Sequence, residues 1–192
     1  MTVGFYFDQQ SCIGCRTCQV ACKDRHDIHE PGIRPRRVES YETGTYPDAG
    51  MFHTTVSCNH CENPACTANC PTRAMYKAED GTVIHDDSKC IQCKMCMLSC
   101  PYGAPQWDYV ENVIVKCDGC MDLREAGMSP NCVAACPMRA LDFGEIDDLK
   151  AKYGDELVSE IPAISSDDLT NPNLLLNATT AASNTEFTQV SL

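Results

Sequence analysis

"CIQCKMCMLSCP", residues 90 to 101, sets four cysteines at Cys90, Cys93, Cys96 and Cys100 and a proline directly behind the last. In the C-x2-C-x2-C-x3-C-P spacing of bacterial ferredoxins, three sulfurs hold one [4Fe-4S] cube and the fourth ligates another. The reason is geometric. A tight loop covers three corners of a cube, and the chain then turns into a helix that carries the fourth sulfur out of reach. Such a motif is useful only in pairs.

Working outward, the remaining cysteines fall into three more groups of four. Group one, "CIGCRTCQVAC" (Cys12, Cys15, Cys18, Cys22), repeats the same spacing, while group two is "CNHCENPACTANCP" (Cys58, Cys61, Cys66, Cys70). Group four lies in "KCDGCMDLREAGMSPNCVAACPMRAL" (Cys117, Cys120, Cys132, Cys136). Pro71, Pro101 and Pro137 follow the last cysteine of three groups and send the chain away extended, whereas group one continues into Lys23. Gly14 and Gly119 sit inside cysteine loops, where the missing side chain lets backbone N–H groups approach sulfur. "CPTRAM" (70–75) and "CPMRAL" (136–141) are nearly one hexapeptide, the mark of a duplicated unit.

Sixteen cysteines in 192 residues is about 8%, a density otherwise met in secreted disulfide scaffolds. That class needs an oxidising compartment. The stretch "MTVGFYFDQQSC" has no basic region, apolar core or small-residue cleavage site, so no export signal is expected. Zinc is the other competitor, but a tetrahedral ion takes two C-x2-C pairs, a form only groups two and four resemble. No apolar run reaches the ~18 residues of a membrane span, so none is expected. The formal charge of −12 excludes the nucleic-acid binders, which present a basic face. The one basic cluster, "RPRRVE" (Arg34, Arg36, Arg37), reads as a solvated loop or partner contact.

His60, between Cys58 and Cys61, reads as a hydrogen-bond tuner of a cluster or an exposed loop residue. His26, His29, His53 and His85 lack ligand spacing and are expected at the surface. Tyr102, Trp107, Met95, Met97, Met121 and Met138 lie among the cysteines, where packing around polarisable metal sites is their plain role. Paired carboxylates, Ser/His/Asp sets and phosphate loops are missing, so no substrate site and no catalytic residue is expected.

Strands are expected at 3–7, near 37–41, at 51–56 and at 113–115, with a hairpin turning at Asp80-Gly81. Helices are expected through about Asp24, ahead of Gly127, and over "GEIDDLKAKY", which Gly154 stops. The tail from about Ile161 to Leu192 has no period strong enough for a core element, and Leu174 to Leu176 read as part of an extended arm on a partner.

Blocks "CNHCENPACTANCP", "CIQCKMC", "CPYGAPQ", "KCDGC" and "CPMRALDFG", in that order, resemble the four-cluster iron-sulfur subunits of the molybdopterin oxidoreductases, and the dimethyl sulfoxide reductase branch most. The likeness spans residues 4 to about 155. It implies an α+β fold of two ferredoxin-like [4Fe-4S] modules, one inserted in the other, with loop insertions and an extended C-terminal tail. Residues 1–30 and 106–155 would form the first module, 31–50 an insertion loop, 51–105 the second module and 156–192 a partner-binding tail. By position, cluster 1 would be held by Cys12, Cys15, Cys18 and Cys136, and cluster 2 by Cys117, Cys120, Cys132 and Cys22. Cluster 3 would take Cys58, Cys61, Cys66 and Cys100, and cluster 4 would take Cys90, Cys93, Cys96 and Cys70. The nitrate reductase branch has tryptophan in place of Cys93 and three irons there; Cys93 implies four.

The resemblance further implies a non-catalytic subunit that relays single electrons between a quinol-oxidising membrane subunit and a molybdopterin catalytic subunit of an anaerobic respiratory reductase. Molybdopterin would not be held in this chain. Cluster 1 would face the catalytic subunit and cluster 4 the membrane anchor. The complex would be membrane-associated, on the outer face by co-export with a partner or on the cytoplasmic face. Lys94, Arg73 and Arg139 are candidate charges for tuning cluster potentials. The alternative is a free polyferredoxin serving several redox partners.

Overall fold

The computed structural model describes residues 2–191. Strand β1 (Val3–Asp8) leads into the first cysteine loop and α1 (Thr17–Arg25), and β2 (Arg37–Thr43) pairs with β3 (Gly50–Val56). The second group ends on α2 (Ala65–Ala68), and β4 (Met75–Lys77) and β5 (Val83–His85) form the hairpin at Asp80-Gly81. The third group runs from a loop through α3 (Met95–Ser99) to Cys100 just beyond it, followed by the hairpin of β6 (Gln106–Asp108) and β7 (Val113–Val115). The fourth group spans α4 (Met121–Glu125) and α5 (Asn131–Ala134). Then come β8 (Leu141–Glu145), α6 (Ile146–Tyr153), β9 (Leu174–Asn177) and β10 (Phe187–Val190). The fold is α+β, with short elements joined by loops that carry the cysteines.

β1 organises the rest. β8 lies antiparallel on one side of it and β9 parallel on the other. Side chains alternate along a strand. Phe5 and Phe7 therefore join the main core with the cysteines, while Tyr6 turns to Leu149 and Leu175 and stacks on Tyr153 at 3.6 Å. Helix α6 covers one face of this sheet, and the cysteine loops cover the other. Gly4 makes the close approach of the tail workable: a Cβ there would stand 2.2 Å from the Asn173 carbonyl oxygen, which accepts the Phe5 N–H at 3.1 Å.

The tail corrects the expectation of an arm lying on a partner. Leu174, Leu175 and Leu176 are buried against the chain's own β1. Each such burial contributes about 1.5–3 kcal/mol. Farther on, β10 pairs with β2 and sets Phe187 edge-on to Tyr41, 5.3 Å between ring centres. Three leucines are too short a run to show a period, and a strand enclosed on both faces is apolar throughout rather than alternating. The segment 31–50 is likewise only half a loop, because β2 runs on to Thr43 and pairs along its whole length with β3.

Candidate metal centres

The sixteen thiols are all free. Three cavities are lined by four each. Site I is lined by Cys12, Cys15, Cys18 and Cys136 with Phe7 and Val38. Site III is lined by Cys58, Cys61, Cys66 and Cys100 with Tyr102 and Thr170, and site IV by Cys70, Cys90, Cys93 and Cys96 with His85 and Ile114. The remaining thiols, Cys22, Cys117, Cys120 and Cys132, are all buried and make up the fourth set, called site II; burial raises Cys22 and Cys117, and Cys132 adds to the rise at both.

Helices produce this exchange. Cysteines four residues apart stand about 6 Å apart along a helix, enough to serve two neighbouring cavities. On α1, Cys18 lines site I and Cys22 belongs to site II; from α5, Cys132 belongs to site II and Cys136 lines site I. The two helices pack together, and Asn131 Nδ2 donates to the Ala21 carbonyl at 2.7 Å. Helices α2 and α3 repeat the arrangement, sending Cys66 and Cys100 to site III and Cys70 and Cys96 to site IV.

The loops are shaped alike. Two residues past the first cysteine of each group the backbone is left-handed, at Gly14 (φ 66°), His60 (45°), Gln92 (59°) and Gly119 (69°). This turns N–H groups toward sulfur: Gln92 N donates to Cys90 Sγ and Gly119 N to Cys117 Sγ, both at 3.4 Å. Three residues past the last cysteine of groups two, three and four the left-handed turn recurs, at Arg73, Gly103 and Arg139. Each of these donates its N–H to the cysteine carbonyl, at 3.3, 3.2 and 3.2 Å respectively. Beyond that turn Met75 N donates to Cys70 Sγ and Ala104 N to Cys100 Sγ, at 3.4 and 3.5 Å. Non-glycine residues held left-handed cost about 1–2 kcal/mol each, which metal binding offsets.

Burial pushes the Cys22 and Cys66 thiols up to about 12 and those of Cys12, Cys61 and Cys96 to about 11. Such thiols are neutral at pH 7 unless a metal displaces the proton. At exposed Cys15 the balance reverses, and the Thr17 hydroxyl and N–H hold the thiol below its usual range. Four sulfurs on one cavity, backbone N–H groups aimed at them and no carboxylate in the linings of sites I, III and IV fit a [4Fe-4S] cluster.

Several side chains stand elsewhere than the sequence indicated. Arg36 is 1% exposed, so the solvated-loop reading of "RPRRVE" fails for it; Arg37 reaches the Tyr102 carbonyl at 2.7 Å. His60 is wholly buried, with Nδ1 accepting the Val83 N–H at 3.0 Å and Nε2 3.8 Å from Cys117 Sγ. His85, expected at the surface, has a buried side chain that lines site IV. Trp107 is buried beneath the Lys94 ammonium, and Arg73 and Arg139 are exposed. Sequence reasoning missed Thr170, whose hydroxyl donates to Cys61 Sγ at 3.2 Å, and Thr55, whose Oγ1 lies 3.8 Å from Cys18 Sγ. Nothing in the composition around either threonine marks it.

The 4Fe-4S dicluster domain matches residues 49–146, and a 4Fe-4S binding domain matches residues 3–24. One of the chains of the anaerobic dimethyl sulfoxide reductase of Escherichia coli is 44% identical over 181 residues, covering 90% of this chain and 87% of the relative. The chain belongs to the family of molybdopterin-oxidoreductase iron-sulfur subunits. Other relatives in this family are a subunit of the sulfite dehydrogenase of Allochromatium vinosum, 38% identical over 73% of this chain and 68% of the relative, and the thiosulfate reductase electron transfer subunit PhsB of Salmonella typhi, 40% identical over 73% and 74%. As an iron-sulfur subunit the chain carries multiple [4Fe-4S] clusters. Among the described residues no helix is long and apolar enough to cross a membrane.

Proposed function

We propose that this chain is the non-catalytic electron-transfer subunit of an anaerobic respiratory reductase, joining a quinol-oxidising membrane subunit to a molybdopterin catalytic subunit. Sites I to IV would each hold one [4Fe-4S] cluster through the four cysteines named for them. The modules would be nested, with sites I and II formed by the two ends of the chain and sites III and IV by the middle. A bound [4Fe-4S] cluster supplies one-electron oxidation and reduction.

The observation that carries this reading is the continuity of the thiols. Beyond the burial that raises both thiols, Cys132 of site II adds to the rise at Cys18 of site I and Cys58 of site III adds to the rise at Cys117 of site II, while α2 and α3 pack together between sites III and IV. The two outer sites are also the open ones. Cys15 is exposed beside Ile13, Val20 and Met138, and Cys93 beside Ile91, Met95 and Leu98. Exposed apolar side chains around a redox site are suited to docking a partner closely and without intervening water. In the interior, Phe7, Val38, Tyr102 and Ile114 close the cavities to solvent.

Anaerobic purification with metal analysis tests the proposal. About sixteen irons per chain are expected. Zinc in their place, or markedly fewer irons, breaks it. Co-purification of a large catalytic subunit supports the fixed complex, whereas a lone chain that reduces several unrelated acceptors supports the free polyferredoxin.

A further inference from the structure

Arg36 carries a charge with no ordinary partner. It is 1% exposed, and the ion pairs among the described residues do not include it. Burying a guanidinium costs several kcal/mol unless an anion compensates. The groups in direct contact with it are neutral. Nη1 donates to Thr55 Oγ1 and Nη2 to Ser57 Oγ, both at 3.0 Å, and the guanidinium carbon lies 4.2 Å over the Phe5 ring. Nε is buried with no acceptor.

The nearest compensating charge comes from sulfur. Thr55, whose oxygen accepts from Arg36, has its hydroxyl 3.8 Å from Cys18 Sγ. Burial works against the guanidinium's charge, while Cys132, Cys117, Cys18 and Cys22, in that order, hold its pKa up. Three of those four belong to site II. Within that site all four thiols are buried, so water cannot screen a charge placed there.

We propose that Arg36, joined through Thr55 to Cys18, is the built-in counter-charge of the adjoining site I and site II clusters, whose ligands Cys18 and Cys22 lie one helical turn apart on α1, and that it keeps this enclosed part of the relay reducible. The inference rests on the cysteine assignment given under the proposed function. Four thiolates outweigh the cluster's positive core, so each arriving electron adds one negative charge to an already anionic group. A permanently protonated guanidinium stabilises that added charge without a proton moving. His60 acts in the same sense, because its Nδ1 accepts the Val83 N–H and the proton therefore sits on Nε2, 3.8 Å from Cys117 Sγ. Asp118 opposes both, with Oδ1 accepting the Cys120 N–H at 2.8 Å.

The test is an EPR-monitored redox titration of the full anaerobic chain and of Arg36→Gln, Arg36→Lys and Ser57→Asp, with the site II signal identified by its loss in Cys120→Ser. Ser57→Asp sets a carboxylate against the guanidinium and neutralises it in place, so it decides the matter even where Arg36→Gln does not load clusters. In Arg36→Gln and Ser57→Asp the site II midpoint should fall by about 59 mV or more, a tenfold change in the ratio of oxidised to reduced cluster. Arg36→Lys should fall less, and site IV should not move. An unmoved site II midpoint in Ser57→Asp, or a shift shared equally by site IV, overturns the inference. A wild-type chain with fewer than four clusters instead breaks the cysteine assignment, so the two failures are distinguishable.

Discussion

Sites II and IV draw on equivalent sulfurs and meet opposite surroundings. At site II every cysteine is buried, and His60 Nε2 stands 3.8 Å from Cys117 Sγ. At site IV Cys93 is exposed, and Ile91 and Leu98 stand in solvent at 61% and 80% of their full exposure. The cysteine loops are alike in both places, with left-handed Gln92 and Gly119 aiming N–H groups at the first sulfur. What differs is the chain laid over them. A repeated motif is thus enclosed in the interior or left open at the surface according to its neighbours.

The sharpest way to break that contrast is to remove one sulfur from each place. Cys117→Ser should cost the iron of site II and, because that site is wholly enclosed, lower the thermal midpoint of the chain. Cys93→Ser should remove only the site IV spectrum and leave the other irons in place. Equal thermal midpoints in the two variants, each shown by EPR to lack its own cluster, would erase the distinction. Slow anaerobic chelation should show the same order by native mass spectrometry: irons at the exposed sites I and IV leave first and those of site II last, because local opening is easiest where little is buried.

A smaller effect separates self-support from partner support. Leu176, buried between β1 and the main core, should cost about 2–4 kcal/mol when cut to alanine. The isolated chain should show this as a lower thermal midpoint, an outcome an arm reserved for a partner would not give.

The smallest effect lies at the ion pair in which Arg124 on α4 reaches Asp80 in the β4–β5 turn at 2.8 Å. Burial pushes the Asp80 carboxyl up, but the Thr82 hydroxyl and N–H and the Arg124 guanidinium outweigh it, and the net shift is below the ordinary 3.8. The stabilisation is therefore fully present above that value and is lost as pH falls through the lowered one. Asp80→Asn should cost about 0.5–1 kcal/mol at neutral pH, screened by salt. Denaturation curves of the variant should then flatten against pH below 4 relative to wild type.

Much of this molecule is written locally. The cysteine spacing, the Asp80-Gly81 turn and the Gly154 stop each act over a few residues, and the structure has the loops, the hairpin and the helix end where those signals stand. Arg36 and Thr170 cannot be read that way. An arginine in a basic, proline-flanked run looks solvated until β2 and β3 enclose it, and Thr170 meets Cys61 across 109 residues of chain. Leu174 to Leu176 escape a local reading for the same reason, since their partner is the first strand of the protein.

That last pairing sets an order of manufacture. Group two is clasped by Asn173, whose backbone N–H and side-chain amide donate to the Asn59 and His60 carbonyls, while the Glu62 and Asn63 N–H groups donate to the Asn171 and Thr170 carbonyls. All of the clasping residues from 170 onward leave the ribosome after every cysteine has emerged. Until then β1, among the first residues made, keeps one edge unpaired, and an unpaired edge is a recognised liability in a waiting chain. A chain cut short of residue 170 therefore lacks both the clasp on group two and the strand that covers this edge of β1.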